Sequence, residues 1–403
     1  MAITPNMWTE FSAGCLGMAE ADIHITQARL RAKRGVKWSH YPADVIPAWI
    51  ADMDFTVAPE IRTALRTIID TDDFGYTPQN LNMRVANAFC GWMTTRHGWT
   101  PEPERIFVGS TMMQLMHAMV MMFSEPGDGV IVQTPIYPGF LSVVAQNNRR
   151  LDENPLPRGN ARYEMDMKRL RKLIDKRTRI LLLCNPHNPT GRAFGADELR
   201  AIADVALEHN LVVVANEVHM DFVYAPARYT PFASLGPEIA ARTITLSSTS
   251  KGLNIAGLRC AIAHFGSAEL QTRFKQINTH ILGTPSIFSI MGSEAAWKFG
   301  GPALDKILLQ LDANRRRVAE FVQNELPGVS HISPEATYFA WLDCSGLHLQ
   351  GAAAKFFLDN ARVALSPGGD FSSYTDKFAR LNFATSPEIL EEILSRMARA
   401  VKG

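Results

Sequence analysis

One lysine sits among hydroxyls and glycines in the run Ser247-Ser248-Thr249-Ser250-Lys251-Gly252, with Gly257 and Arg259 close behind. An amine that is to attack an aldehyde must shed its proton near neutral pH, and cationic neighbours help it do so. Hydroxyls and an arginine beside it are what the phosphate of a phosphorylated aldehyde needs. Gly252 and Gly257 leave the backbone free to turn and to approach a ligand closely. Taken alone, such a segment fits a surface lysine in a serine-rich turn equally well.

Four further segments could join it. Gly109-Ser110-Thr111 lies between an apolar run and a long helical pattern, where free N–H groups and the helix dipole favour a phosphate. Asn185-Pro186-His187-Asn188-Pro189-Thr190-Gly191 has two Asn-Pro pairs and a glycine exit. These force a fixed, non-helical path that can hold the Asn188 amide toward a ligand oxygen. Thr134-Pro135-Ile136-Tyr137-Pro138 offers an aromatic face on a stiff loop. Arg380, in Arg380-Leu381-Asn382-Phe383-Ala384, carries a guanidinium suited to a two-point grip on a carboxylate.

These segments need a scaffold, and the chain supplies a strand–helix rhythm from about residue 100. Apolar runs at 105–108, 130–132, 180–183, 211–215, 243–246 and 261–265 predict strands buried on both faces. The stretches between them, such as 112–123 and 197–209, carry helical spacing. A parallel sheet binds ligands beyond the carboxyl ends of its strands, where the candidate residues fall. Pro59 opens a helix at its first turn. After about 290 the pattern changes to longer helices (293–297, 303–324, 387–401) with a short strand at 338–342. The expected architecture is α/β: an arm over residues 1–50 joining a small domain, a large domain over 51–290 with a mostly parallel sheet covered by helices, and a smaller α+β domain over 291–403.

Composition bounds the function. The 403 residues carry 41 Lys and Arg against 40 Asp and Glu, so no bulk field draws nucleic acid or a membrane surface. Arg315-Arg316-Arg317 reads as the solvated face of a helix. The cysteines (Cys15, Cys90, Cys184, Cys260, Cys344) lack any zinc or disulfide spacing and read as free thiols in a reducing compartment. No secretion signal and no membrane span is legible, so the expectation is a cytoplasmic protein that binds no metal.

Taken in order, the glycine–hydroxyl cup, tyrosine loop, asparagine turn, lysine segment and late arginine resemble the fold-type I pyridoxal-phosphate enzymes of the aminotransferase class I/II superfamily. The finer resemblance is to the MalY/PatB group of carbon–sulfur β-lyases, similar in activity to cystathionine β-lyase. It rests on Trp49-Ile50-Ala51-Asp52-Met53-Asp54-Phe55, Gly75-Tyr76-Thr77, the asparagine turn, Glu217-Val218-His219-Met220-Asp221 and Lys251 to Leu258. Gly252-Leu253 departs from the threonine-phenylalanine common in that group. The resemblance implies pyridoxal 5′-phosphate as cofactor, with Lys251 as its Schiff-base lysine. Ser110, Thr111, Ser248, Ser250 and Arg259 would hold its phosphate, and Tyr137 would stack on its ring. Asn188 and His219 would lie near its phenolic oxygen, and Arg380 with Asn188 would hold the substrate carboxylate. Tyr76 would reach across a homodimer to the neighbouring phosphate.

One departure bears on the chemistry. Where the family has an aspartate paired with the pyridinium nitrogen, this chain has Asn216. A neutral amide can hydrogen-bond that nitrogen but removes the Coulombic support for its protonation. Glu217 cannot substitute, since neighbouring strand residues face opposite ways. The expected activity is β-elimination on a cysteine conjugate or cystathionine, releasing thiol, pyruvate and ammonia. An aminotransferase shares every cofactor contact, and racemisation, decarboxylation or oxidative deamination would fit the changed ring partner.

Overall fold

The structure is a computed structural model that describes residues 23–403; the first part of the expected arm and Cys15 lie outside the described residues. Helix α1 (Pro59–Asp70) starts on Pro59, whose missing N–H costs nothing in the first turn, and buries Ile61, Ala64 and Ile68 along one face. Helix α2 (Asn80–His97) ends on Gly98 at φ 67°, the left-handed conformation that closes a helix.

Seven strands then build the central sheet: β1 (Ile106–Gly109), β2 (Gly129–Thr134), β3 (Arg150–Pro155), β4 (Thr178–Cys184), β5 (Val212–Asn216), β6 (Thr243–Ser247) and β7 (Ala261–Phe265). Their order is β1-β7-β6-β5-β4-β2-β3. Only β7 runs against the rest, antiparallel to both β1 and β6. The unbroken apolar run in β4 is explained by cover on both faces. Ile180 and Leu182 pack toward helix α3 (Met112–Phe123), in one cluster with Leu115 and Met119. Leu181 and Leu183 pack toward helix α4 (Ala196–Glu208), with Leu199, Ile202 and Ala206. The fifth strand is shifted by one residue from the expected 211–215, which makes Asn216 its last residue, paired with Cys184 and Leu246.

Helix α5 (Ile287–Phe299) begins six residues before the expected 293, because Ser286 caps it by accepting from Ser289 N at 3.2 Å. Helix α6 (Gly301–Glu325) and helix α7 (Pro387–Lys402) share one core with the four-stranded antiparallel sheet β10-β11-β9-β8. Its strands are β8 (Ser330–His331), β9 (Phe339–Asp343), β10 (Ser366–Pro367) and β11 (Phe378–Asn382). Ile25, Leu30 and Trp38 of the arm join that core, and Ile46–Pro47 pairs in parallel with Val363–Ala364. The arginine triplet is a correction. Only Arg316 is largely solvated; Arg315 bonds Asp312 and lies over the Tyr224 ring, and Arg317 pairs with Glu391 of α7. Helical rotation of about 100° per residue sends three consecutive side chains in different directions.

Candidate active site

The carboxyl end of β6 turns at Ser248, whose Oγ accepts from Ser250 N (3.1 Å) and caps the short helical turn Thr249–Gly252. The same hydroxyl donates to Cys260 O. That turn aims Lys251 back across the molecule, where its Nζ donates to Ala51 O at 2.8 Å. Tyr338 Oη donates to the same carbonyl at 3.1 Å. Lys251 has no acidic ion-pair partner among the described residues. Burial, with Arg380 adding to it and Asp52 opposing, lowers its pKa to about 8. About one amine in ten is then neutral at pH 7, against about one in three thousand at the ordinary value. Gly252 is needed beside it: a Cβ there would lie 2.6 Å from Asp221 Oδ2. Asp221 cannot easily give way, since Trp92 Nε1 (2.9 Å) and His97 Nε2 (3.1 Å) both bond its Oδ1.

Arg380, on β11, is buried, and no carboxylate among the described residues balances it. Its Nη1 donates to Asn188 Oδ1 (2.9 Å), and its Nη2 to Trp49 O (2.9 Å) and Ser366 Oγ (3.0 Å). The guanidinium lies 4.1 Å from the ring centre of Phe339 and 5.0 Å from that of Phe371. Its Nε has no partner. Burial lowers its pKa to about 10, which leaves it cationic at neutral pH. A buried cation held by neutral acceptors and π faces is an anion site in search of its anion.

Asn216 and Glu217 do face opposite ways. Asn216 Oδ1 accepts from Val218 N at 3.3 Å, and its Nδ2 has only the Met116 sulfur, at 3.4 Å, on the α3 side. Glu217 turns to the other face, taking bonds from Tyr229 Oη (2.5 Å) and Phe232 N (2.8 Å), and burial raises its pKa to about 7.

The other candidates divide by placement. Tyr137 meets Asn188 directly, its N–H donating to Asn188 O at 3.1 Å, and its ring is partly exposed. His219 is buried against Tyr338 and Phe339, its Nδ1 lacks a partner, and the charges of Lys251 and Arg380 help hold its pKa down after burial itself. Ser110 lies beside Gly283, and Thr111 Oγ1 caps α3 by accepting from Gln114 N at 3.1 Å. Ser250 Oγ lies 2.9 Å from Ser248 Oγ, which accepts its O–H, since the Ser248 hydrogen goes to Cys260 O. Arg259 is exposed, at φ 56°. Tyr76 is fully exposed and makes no hydrogen bond among the described residues. Bonds and charge fields tie Lys251, Asn188, Arg380, Tyr137 and His219 together, whereas Tyr76 and Arg259 are exposed and bond none of them among the described residues. Tyr338, Ser366, Phe339 and Phe371 escaped the sequence reading, since an apolar strand and a turn carry no chemical signature.

These residues fit a phosphorylated aldehyde with a carboxylate-bearing substrate. The observations are an amine primed for release of its proton, the unpartnered Arg380 Nε and His219 Nδ1, and a helix N-terminus lined by Ser110 and Thr111. A family model described as aminotransferase class I and II matches residues 49–397. Cystathionine beta-lyase PatB of Bacillus subtilis (strain 168) is 35% identical over 361 residues, covering 89% of this chain and 93% of that protein. Cystalysin from Treponema denticola, solved with a pyridoxal 5′-phosphate cofactor, superposes with a TM-score of 0.89 at 28% identity, covering 96% of this chain and 99% of that one. A PLP-bound C-S lyase from Staphylococcus hominis, complexed with L-cycloserine, superposes with a TM-score of 0.88 at 28% identity over 95% of this chain and 99% of that one. The expected fold-type I architecture is shared with these structures.

Proposed function

The chain belongs to the aminotransferase class I and II family, and from that premise we propose that it is a pyridoxal 5′-phosphate-dependent carbon–sulfur lyase acting on a cysteine S-conjugate or cystathionine. Lys251, with no acidic partner among the described residues, and the buried Arg380 cation support the cofactor and an amino-acid substrate; the observation that carries the lyase reading is the 35% identity to cystathionine beta-lyase PatB over 89% of this chain. Residues 51–290 hold the cofactor, and residues 291–403 close over it with the arm. Lys251 binds its aldehyde, Ser110, Thr111, Ser248, Ser250 and Arg259 its phosphate, Tyr137 its ring face, and Asn188 and His219 its phenolic oxygen. Tyr76 of the partner subunit completes the phosphate site in a cytoplasmic homodimer. Exposed Ile69, Phe74 and Tyr76 support that interface, and no helix of the described residues is long and apolar enough to cross a membrane.

Bound there, the cofactor supplies an electron-accepting ring that stabilises negative charge at the substrate's α-carbon. Arg380 and Asn188 fix the α-carboxylate, which orients the Cα–H bond. Lys251 Nζ takes the α-proton, acting as general base. The β-carbon–sulfur bond breaks with its electron pair on sulfur, which takes up a proton to leave as thiol. With one water consumed, the remaining three carbons leave as pyruvate and the nitrogen as ammonia. Incubation with L-cystathionine and S-alkylcysteines is expected to yield pyruvate and thiol in equal amounts. Conversion of the cofactor to its amine form without pyruvate would instead identify a transaminase.

Asn216 sets the electronics of this site. Its carbonyl already accepts from Val218 N while its NH2 has only the Met116 sulfur, so the NH2 is the group with most to gain from the ring nitrogen, and donating to it would favour the unprotonated form. Asn216→Asp should raise the proton affinity of that nitrogen by about 1–3 pKa units through the added charge. Nitrogen NMR of protein loaded with ring-15N cofactor should show an unprotonated nitrogen in the native chain and a protonated one in the variant. A protonated nitrogen in both would remove this role from Asn216.

A further inference from the structure

Asn216 closes β5 with its amide between two contacts of opposite kind. Its Oδ1 accepts from Val218 N at 3.3 Å, and its Nδ2 donates to the Met116 sulfur at 3.4 Å, with Asn216 and Met116 both buried. A backbone N–H can only donate, and a thioether sulfur can only accept. Turning the amide over by half a turn would set NH2 against N–H and carbonyl against sulfur, and both contacts would be lost. A carboxylate in the same place would keep Val218 N but has no proton to offer the sulfur. The surroundings of position 216 therefore suit an amide, and one orientation of it.

The helix that carries Met116 meets other candidate residues too. Thr111 caps α3, and Met113 stands three residues before Met116 on the same face. The room above Gly139 is taken by the Tyr137 ring edge and the Met113 sulfur, 2.5 and 2.7 Å from where a Cβ would stand. One helix thus serves Thr111, Tyr137 and Asn216 within its first two turns. The titratable groups on the flanking elements are Cys184 beside Asn216 in β4, Glu217 on the opposite face and His117 of α3 on Asn147 (2.9 Å). His219 against Tyr338 and Phe339, and Lys251 on Ala51 O, complete the set. None of them bonds the Asn216 amide among the described residues.

An amide can meet a pyridine nitrogen in two ways: its NH2 donates to the bare nitrogen, or its carbonyl accepts from the protonated one. We propose that Met116 is a positioning residue that decides between them, its sulfur holding the Asn216 amide in the donating orientation so that the resting ring nitrogen stays unprotonated. The inference rests on the cofactor reading and on Asn216 as the ring partner, and adds the group that fixes that partner's orientation.

The test is the pH titration of the ring nitrogen signal in holoenzyme carrying ring-15N cofactor, in the native chain, Met116→Leu, Asn216→Asp and the double variant. Leucine nearly matches methionine in volume, a well-tolerated swap, but offers no acceptor. Met116→Leu should raise the titration midpoint by about 0.4–1 pH unit, the twofold to tenfold change that one net hydrogen bond carries. In the Asn216→Asp background the same substitution should leave the midpoint unmoved, because a carboxylate gives the sulfur nothing to accept. Norleucine at position 116, which replaces only the sulfur by a methylene, should reproduce the leucine result. An unmoved midpoint in Met116→Leu, equal shifts in both backgrounds, or a shift that norleucine does not reproduce overturns the role of the sulfur. Retention of the label on Lys251 after borohydride reduction reports the cofactor reading separately. Its absence removes that reading and this inference together.

Discussion

Lys251→Met is expected to lose about 10⁴-fold or more in kcat for pyruvate release, because one side chain both binds the cofactor aldehyde and moves the α-proton. The same substitution should stabilise the cofactor-free protein. Burial lowers the Lys251 pKa from 10.5 to about 8, so at pH 7 the folded state holds an ammonium it disfavours by up to about 3 kcal/mol. The figure is an upper bound, since the residue keeps some solvent access and Ala51 O accepts from it. The sign follows from proton counting. Between the folded and unfolded pKa values the unfolded chain binds more protons, so native stability climbs as pH rises from about 8 toward 10.5, and Lys251→Met removes that climb. Coupled pyruvate assays and melts at pH 7 and pH 10 check both halves. A variant that melts lower at pH 7 would mean that the aliphatic stem and its bond to Ala51 outweigh the burial of charge.

The second large effect is at Arg380. Arg380→Met removes the cation bonded to Asn188 and takes one donor each from Ser366 Oγ and Trp49 O, of which Trp49 O keeps its bond from Ser366 Oγ at 2.6 Å. Truncating one side of a buried charge pair costs about 2–5 kcal/mol, so kcat/KM should fall by about 10²–10³-fold or more. Arg380→Lys keeps the charge but loses the planar fork that bonds three acceptors and lies against Phe339 and Phe371, and a loss of about 10²-fold is expected. Steady-state kinetics on L-cystathionine decide it, with the substrate's α-carboxamide as control. Native enzyme on the amide should be as slow as Arg380→Met on the acid. If Arg380→Met were equally slow on both while native enzyme still preferred the acid by only a few fold, the guanidinium would be structural.

What could be read from the sequence was what is encoded locally. Strands 180–183 and 243–246 were legible because burial on both faces demands an unbroken apolar run, and the asparagine turn because proline and glycine restrict the backbone wherever they stand. Asn216 stood out because an amide and a carboxylate differ in charge in any fold. The opposed directions of Asn216 and Glu217 followed from strand geometry alone. What only the tertiary structure decided was everything that depends on distant segments meeting. The Lys251–Ala51 and Arg380–Asn188 bonds join residues 200 and 192 positions apart, and the strand order β1-β7-β6-β5-β4-β2-β3 is invisible to any local pattern. A charge declares its sign in the sequence, but its partner and its access to water exist only once the chain has closed around it.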